Sequence, residues 1–152
     1  MRVTRVSQYI KAPREILYRA LIDPSAIAIW KVPTGMTCRV HTFDARVGGT
    51  FRISLTYDAP TGVGKTTAHT DTYRGRFVEL VPNERVVEID EFETQNPALR
   101  GEMKITIELA DKEGGTEVVG VHEGLPASVS AADNEVGWRM ALGKLASFLA
   151  TA

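Results

Sequence analysis

With 152 residues, 18 Lys+Arg against 19 Asp+Glu and a net charge of -1, the chain has single-domain length and no basic excess to suit nucleic acid or an anionic membrane. Cys38 is the only cysteine, which excludes an internal disulfide and any metal cluster built on cysteines. The N-terminal "MRVTRVSQYIKAP" has no continuous apolar region of the signal-peptide kind, and no run approaches the ~18 apolar residues of a membrane span, so a soluble cytoplasmic protein is expected.

In chain order, "RVTRVSQYI" (2–10) alternates around β-branched and aromatic residues and predicts a strand. "APREILYRALID" predicts a helix, with Pro13 in its first turn and Ile16, Leu17, Ala20 and Leu21 at helical spacing. "DPSAIAIW" predicts a second short helix, with Asp23 as N-cap, Pro24 at the first helical position and Trp30 at the end.

From Met36 to Glu123 the period changes to two. "MTCRVHTFD" and "ARVGGTFRISLTYD" form a hairpin around Gly48-Gly49, with Phe51, Ile53, Leu55 and Tyr57 on one face. Residues 59–68, "APTGVGKTTA", form a loop, and its "TGVGKTT" lacks both the spacing and the following helix of a phosphate loop. Strands follow in "HTDTYRGRFVELV", "RVVEIDEFE", "EMKITIEL" and "TEVVGVHE", separated by turns at "PNE", "NPALRG" and "DKEGG". Met103, Ile105, Ile107 and Leu109 share a face.

The last segment predicts one long helix, started by Ser130 with Asp133 three residues on. Trp138, Ala141, Leu142, Leu145 and Leu149 make its apolar stripe, while Arg139, Lys144 and Ser147 lie off it. Gly137 and Gly143 interrupt this helix. Gly137 is expected to let the backbone approach a neighbouring strand or loop, and Gly143, six residues on, to lie on another face. Consecutive strands with short turns make an antiparallel sheet, and only the last helix is long enough to cover it.

That order of elements, with "APREILYRALIDPSAIAIW", "FDARVGGTFRI", "YRGRFVELVPNERVVE", "GGTEVVGVHEGLP" and "GWRMALGKLASFL", resembles the helix-grip fold of the START-like (SRPBCC) superfamily. Within it the chain looks like the group named after the C-terminal domain of the activator of the ninety-kilodalton heat-shock protein's ATPase. The resemblance implies an α+β fold: a curved seven-stranded antiparallel sheet wrapped around the long C-terminal helix, with two short helices after strand one. It also implies a gap between sheet and helix where ligands sit. Members range from lipid and polyketide binders to cyclases and ATPase activators. The chaperone activator carries a further domain ahead of this one, so a chaperone partner is not expected for a sequence starting at the first strand. A homodimer is left open.

Three histidines and an acidic run are the candidates for chemistry. His122 shares a face with Val118, toward the terminal helix in the family's arrangement; it is either a hydrogen-bonded structural histidine or a catalytic one, and in the ligand-binding reading it is the polar anchor. His69 and Asp71 have the spacing of a metal pair without a third ligand, and His41 gives no sign of its face. In "EIDEFE" (88–93), either Glu88 and Asp90 or Glu91 and Glu93 face inward, needing an arginine partner (Arg39, Arg52 or Arg74) or a wet cavity. The expectation is a small apolar ligand held by Trp30, Phe51, Ile53, Tyr57, Met103, Ile105, His122, Trp138 and Leu142, with no metal, cofactor or assigned catalytic residue. The alternatives are a cyclase or hydratase using a cavity histidine or carboxylate, and a chaperone-interacting module.

Overall fold

Seven strands form one antiparallel sheet in the order β1-β7-β6-β5-β4-β3-β2 in the computed structural model, which describes residues 2–59, 64 and 69–150. The elements are β1 (Val3–Ile10), α1 (Arg14–Leu21), α2 (Pro24–Trp30), β2 (Met36–Phe43), β3 (Thr50–Tyr57), β4 (Thr70–Val81), β5 (Arg85–Phe92), β6 (Met103–Lys112), β7 (Gly115–Glu123) and α3 (Ala131–Ala150). The expected α+β helix-grip architecture is present. The loop read at 59–68 lies outside the described residues, apart from Ala59 and Gly64.

The second and third helices start as their sequences dictate, whereas Pro13, expected in the first turn of α1, stands just before it. The Asp23 side chain accepts from the Ser25 N–H at 2.9 Å, and Ser130 Oγ accepts from the Asp133 N–H at 3.2 Å, so orphan amides are satisfied at both starts. Pro13 precedes α1 as an extended residue. On α1 the buried face is Leu17, Tyr18, Ala20 and Leu21, whereas Ile16 is 39% exposed. The sheet curls where β2 is bulged between Val40 and Thr42 and β4 between Phe77 and Glu79, since an extra residue bends its strand.

Long-range packing divides the space under α3 into two parts. Leu142 and Leu145 are fully buried and join Leu17, Ile27, Trp30, Phe51, Ile53, Phe77, Ile107 and Val118 in a continuous core. The N-terminal half of the helix stands away from the sheet. A Cβ placed on Gly137 or Gly143 would meet no atom within 4 Å, so the close backbone approach expected at Gly137 does not occur. The reason is that Gly137 lies over a cavity and not against a strand. Among the described residues no helix is long and apolar enough to cross a membrane.

Candidate functional site

The cavity has a volume of about 530 Å³ and lies between the first turns of α3 and the concave face of the sheet. Tyr57, Met103, Ile105, His122 and Trp138, all expected at the site, line it. Trp30, Phe51, Ile53 and Leu142 do not, because each is buried in the packed part of the core beside it. Trp30 donates its indole N–H to Ala20 O at 2.9 Å, which ties α2 to α1. A wider depression of about 650 Å³ near the 93–101 turn is lined by Arg74, Glu91, Glu93, Arg100 and polar residues. Its acids are already paired, Arg74 with Glu91 and Arg52 with Glu93, on the solvated face. The concave cavity, with converging buried polar groups, is the better site.

β7 carries His122 opposite Thr4 of β1 and Ile105 of β6, at 7% exposure. Trp138 Nε1 donates to His122 Nδ1 at 3.0 Å, and His122 Nε2 lies 3.1 Å from the Met103 sulfur. An indole N–H only donates, so Nδ1 is the acceptor and the neutral ring carries its proton on Nε2. Burial is the main reason its pKa falls to about 4, with the positive charge of Lys31 adding to the fall and Glu88 opposing it. The imidazole is therefore neutral at pH 7, with its lone pair engaged by Trp138. It fixes the roof of the cavity to the sheet and is not poised as a base.

β5 resolves the acidic run. Glu88 and Asp90 face inward and are each 3% exposed, while Glu91 and Glu93 face outward to Arg74 and Arg52. Neither buried carboxyl takes an arginine. Lys31, just past the end of α2, places Nζ 2.9 Å from Glu88 Oε1 and 6.0 Å above the centre of the Phe51 ring. Burial pushes the Lys31 pKa down, but Glu88 and Asp90 outweigh it, and the net direction is up. The lysine stays charged.

Glu88 Oε2 and Asp90 Oδ1 are buried with no donor, and the two carboxyls lie within hydrogen-bonding reach of each other. Two carboxyls in contact need a proton between them, or their like charges repel in a medium of low dielectric. Asp90 holds it: burial first, then Glu88, raises its pKa well above the usual carboxylate range. Burial likewise raises Tyr73 well above the ordinary phenol value, with Asp90 and Glu88 adding to it, so Tyr73 lines the cavity as a neutral phenol. Cys38 is a protonated thiol because burial raises its pKa more than Lys31 lowers it.

Sequence reasoning missed Lys31, Asn134 and Gly75. Asp90 sits opposite Gly75 of β4, where a Cβ would come within 2.5 Å of Asp90 Oδ1 and 2.4 Å of Phe51 Cζ. Glycine in the middle of an alternating strand was the available signal, since it marks a place where other atoms approach the backbone. The other histidines lie elsewhere. His41 is exposed, with Nε2 2.8 Å from Ser54 Oγ, and His69 is exposed where Asp71 is buried. No group of three potential metal ligands occurs among the described residues.

Comparison with known proteins agrees with this architecture. No curated protein matches the sequence at a significant level. A solved structure from Chromobacterium violaceum is 34% identical, with a TM-score of 0.86 over 96% of this chain and 95% of that one. A protein of Arthrobacter aurescens at 14% identity has a TM-score of 0.81, covering 99% of this chain and 87% of that one. One from Rhodobacter sphaeroides at 22% identity has a TM-score of 0.75, covering 98% and 93%. The model of the family described as "Activator of Hsp90 ATPase homolog 1-like protein" matches residues 11–150, and the chain belongs to that family.

Proposed function

We propose that this protein binds a small molecule with an apolar body and a polar end in the cavity beneath α3. The observation that carries this reading is the space itself: about 530 Å³ left open between Trp138 on one wall and Met103, Ile105 and Tyr57 on the other. A volume of that size is within the ordinary range for small-molecule sites. His122 supports it as a positioning residue, because its bond to Trp138 keeps the roof in place when the cavity is empty. Native mass spectrometry of the protein purified from its own cells tests this. A bound mass that leaves on denaturation is expected. A bare mass, together with no uptake of the neutral fluorophore N-phenyl-1-naphthylamine, rejects the reading.

A second reading, acid catalysis of a cyclase or hydratase kind, draws on Asp90, a carboxyl that keeps its proton beside the cavity. It predicts that a co-purified molecule is converted on incubation, with a mass change such as gain or loss of water. A molecule recovered unchanged leaves binding alone.

A further inference from the structure

Two side chains at the inner end of the cavity carry hydrogens with no acceptor. Tyr73 lines the cavity from β4 at 7% exposure, and its hydroxyl meets no hydrogen-bond partner among the described residues. Lys31 lines it from the end of α2, and its ammonium carries three N–H groups. One of them goes to Glu88 Oε1 at 2.9 Å, and the others find no acceptor among the described residues. A single ring brings the two donors together. Phe51 packs edge to face with Tyr73, centroids 6.4 Å apart, and has Lys31 Nζ 6.0 Å from its centre.

The other polar groups at this end are already engaged. Trp138 gives its N–H to His122, and Glu88 and Asp90 hold a proton between them. Buried donors call for partners, so what is missing here is an acceptor. Charge decides which acceptor. Lys31 is the one lysine or arginine among the described lining residues, and Glu88 already balances it. A carboxylate would bring a further negative charge to this end with no cation left to answer it. A carbonyl oxygen offers two lone pairs and brings no charge.

We infer that the polar end of the ligand is an uncharged carbonyl oxygen, as in a ketone, which accepts from the Tyr73 hydroxyl and from the Lys31 ammonium. The inference rests on the binding reading above and narrows it to a chemical class. The apolar body then runs along Ile105 and Trp138 toward Val136 and Met140, which line the cavity at 50% and 39% exposure and mark its open side. Tyr73 suits the role because it remains a neutral phenol and so keeps its proton to donate.

Three probes built on one ring system separate this inference from the reading it rests on. 2-Acetylnaphthalene, 2-isopropenylnaphthalene (a methylene in place of the oxygen) and 2-naphthoate are titrated against N-phenyl-1-naphthylamine. The ketone is expected to bind about tenfold tighter than the alkene, with the carboxylate weakest. The carbonyl stretch of the bound ketone should fall below its frequency in an alkane solvent. Tyr73→Phe should cut the ketone-to-alkene ratio about fivefold and raise the stretch again, while alkene affinity and the melting temperature hold. Should that variant not fold, the ratio and the stretch in the unaltered protein decide alone. Equal binding of ketone and alkene, or a ratio that Tyr73→Phe leaves unchanged, overturns the carbonyl and leaves the cavity reading standing. Naphthoate binding as tightly as the ketone does the same. No binding by any probe overturns both.

Discussion

The indole N–H of Trp138 on α3 and the Nδ1 lone pair of His122 on β7 meet at 3.0 Å, and this bond joins the roof of the cavity to the sheet. The rings stand edge to face, with centroids 6.1 Å apart. Trp138 also lies over Gly120, where an added Cβ would stand 3.7 Å from the ring, in ordinary contact. A partly buried tryptophan above a cavity is thus held to the sheet by one polar contact.

The burial of His122 predicts a pH dependence of stability. The folded-state pKa of His122 is about 4, below the unfolded value of 6.5. Between these values the unfolded chain takes up the proton and the folded chain does not, so stability is lost as the pH falls from about 6.5 to about 4. The full effect is about 3 kcal/mol from the size of the shift. Urea titrations across that range, on the protein and on His122→Gln, measure it; the variant should show a flatter curve below pH 6.5.

Asp90 acts at the other end. The unfolded chain releases this proton near pH 4 and the folded chain only at higher pH, so stability falls as the pH rises through that interval. Asp90→Asn, which keeps a neutral group of similar shape, should raise the melting temperature at alkaline pH relative to the parent. An unchanged alkaline limb would mean that the carboxyl ionises there at no cost.

Lys31→Met should destabilise the protein by about 3–5 kcal/mol, because it removes the cationic partner of the buried Glu88 and Asp90 carboxyls. Adding Glu88→Gln should restore most of that loss, since the pair's own net contribution is small against an uncharged replacement. A double variant as unstable as the single one would show that Lys31 acts through packing and not through charge.

Gly137→Ala and Gly143→Ala should each stabilise by up to about 1 kcal/mol, because both lie within the helix and a methyl at either meets open space. They should differ in binding. Gly137 lines the cavity and Gly143 does not, so only the first should weaken uptake of N-phenyl-1-naphthylamine.

Gly75→Ala should cost about 3 kcal/mol or more, since its methyl would overlap Phe51, Asp90 and the Ile89 carbonyl at once. Thermal unfolding gives the loss directly. A shift of a degree or two would show that β4 and β5 move apart easily at this point.

Most of the fold was legible because period and punctuation are local. Phe51 and Ile53 on β3, and Met103, Ile105, Ile107 and Leu109 on β6, alternate as written and are buried as alternation demands. Asp23-Pro24 and Ser130 mark helix starts that the structure retains. The site was legible only as a set of apolar faces. Trp30, Phe51, Ile53 and Leu142 read the same as Tyr57, Met103 and Ile105, yet the first group fills the core and the second borders the cavity. Burial next to a void and burial in solid packing leave the same pattern in a sequence.

What the sequence determined by itself was the order of elements, their faces and the family they resemble. What the tertiary structure alone decided was which carboxyls turn inward, what neutralises them and where the space lies. Lys31 reaches Glu88 across 57 residues, and neither belongs to a motif. Alternation requires one pair of "EIDEFE" to face inward, but only the strands on either side of β5 decide which pair. Gly137, a helical glycine that suggested close contact, lies over open space because the packing of Leu142 and Leu145 anchors the far half of α3 and leaves the near half to span the curl of the sheet.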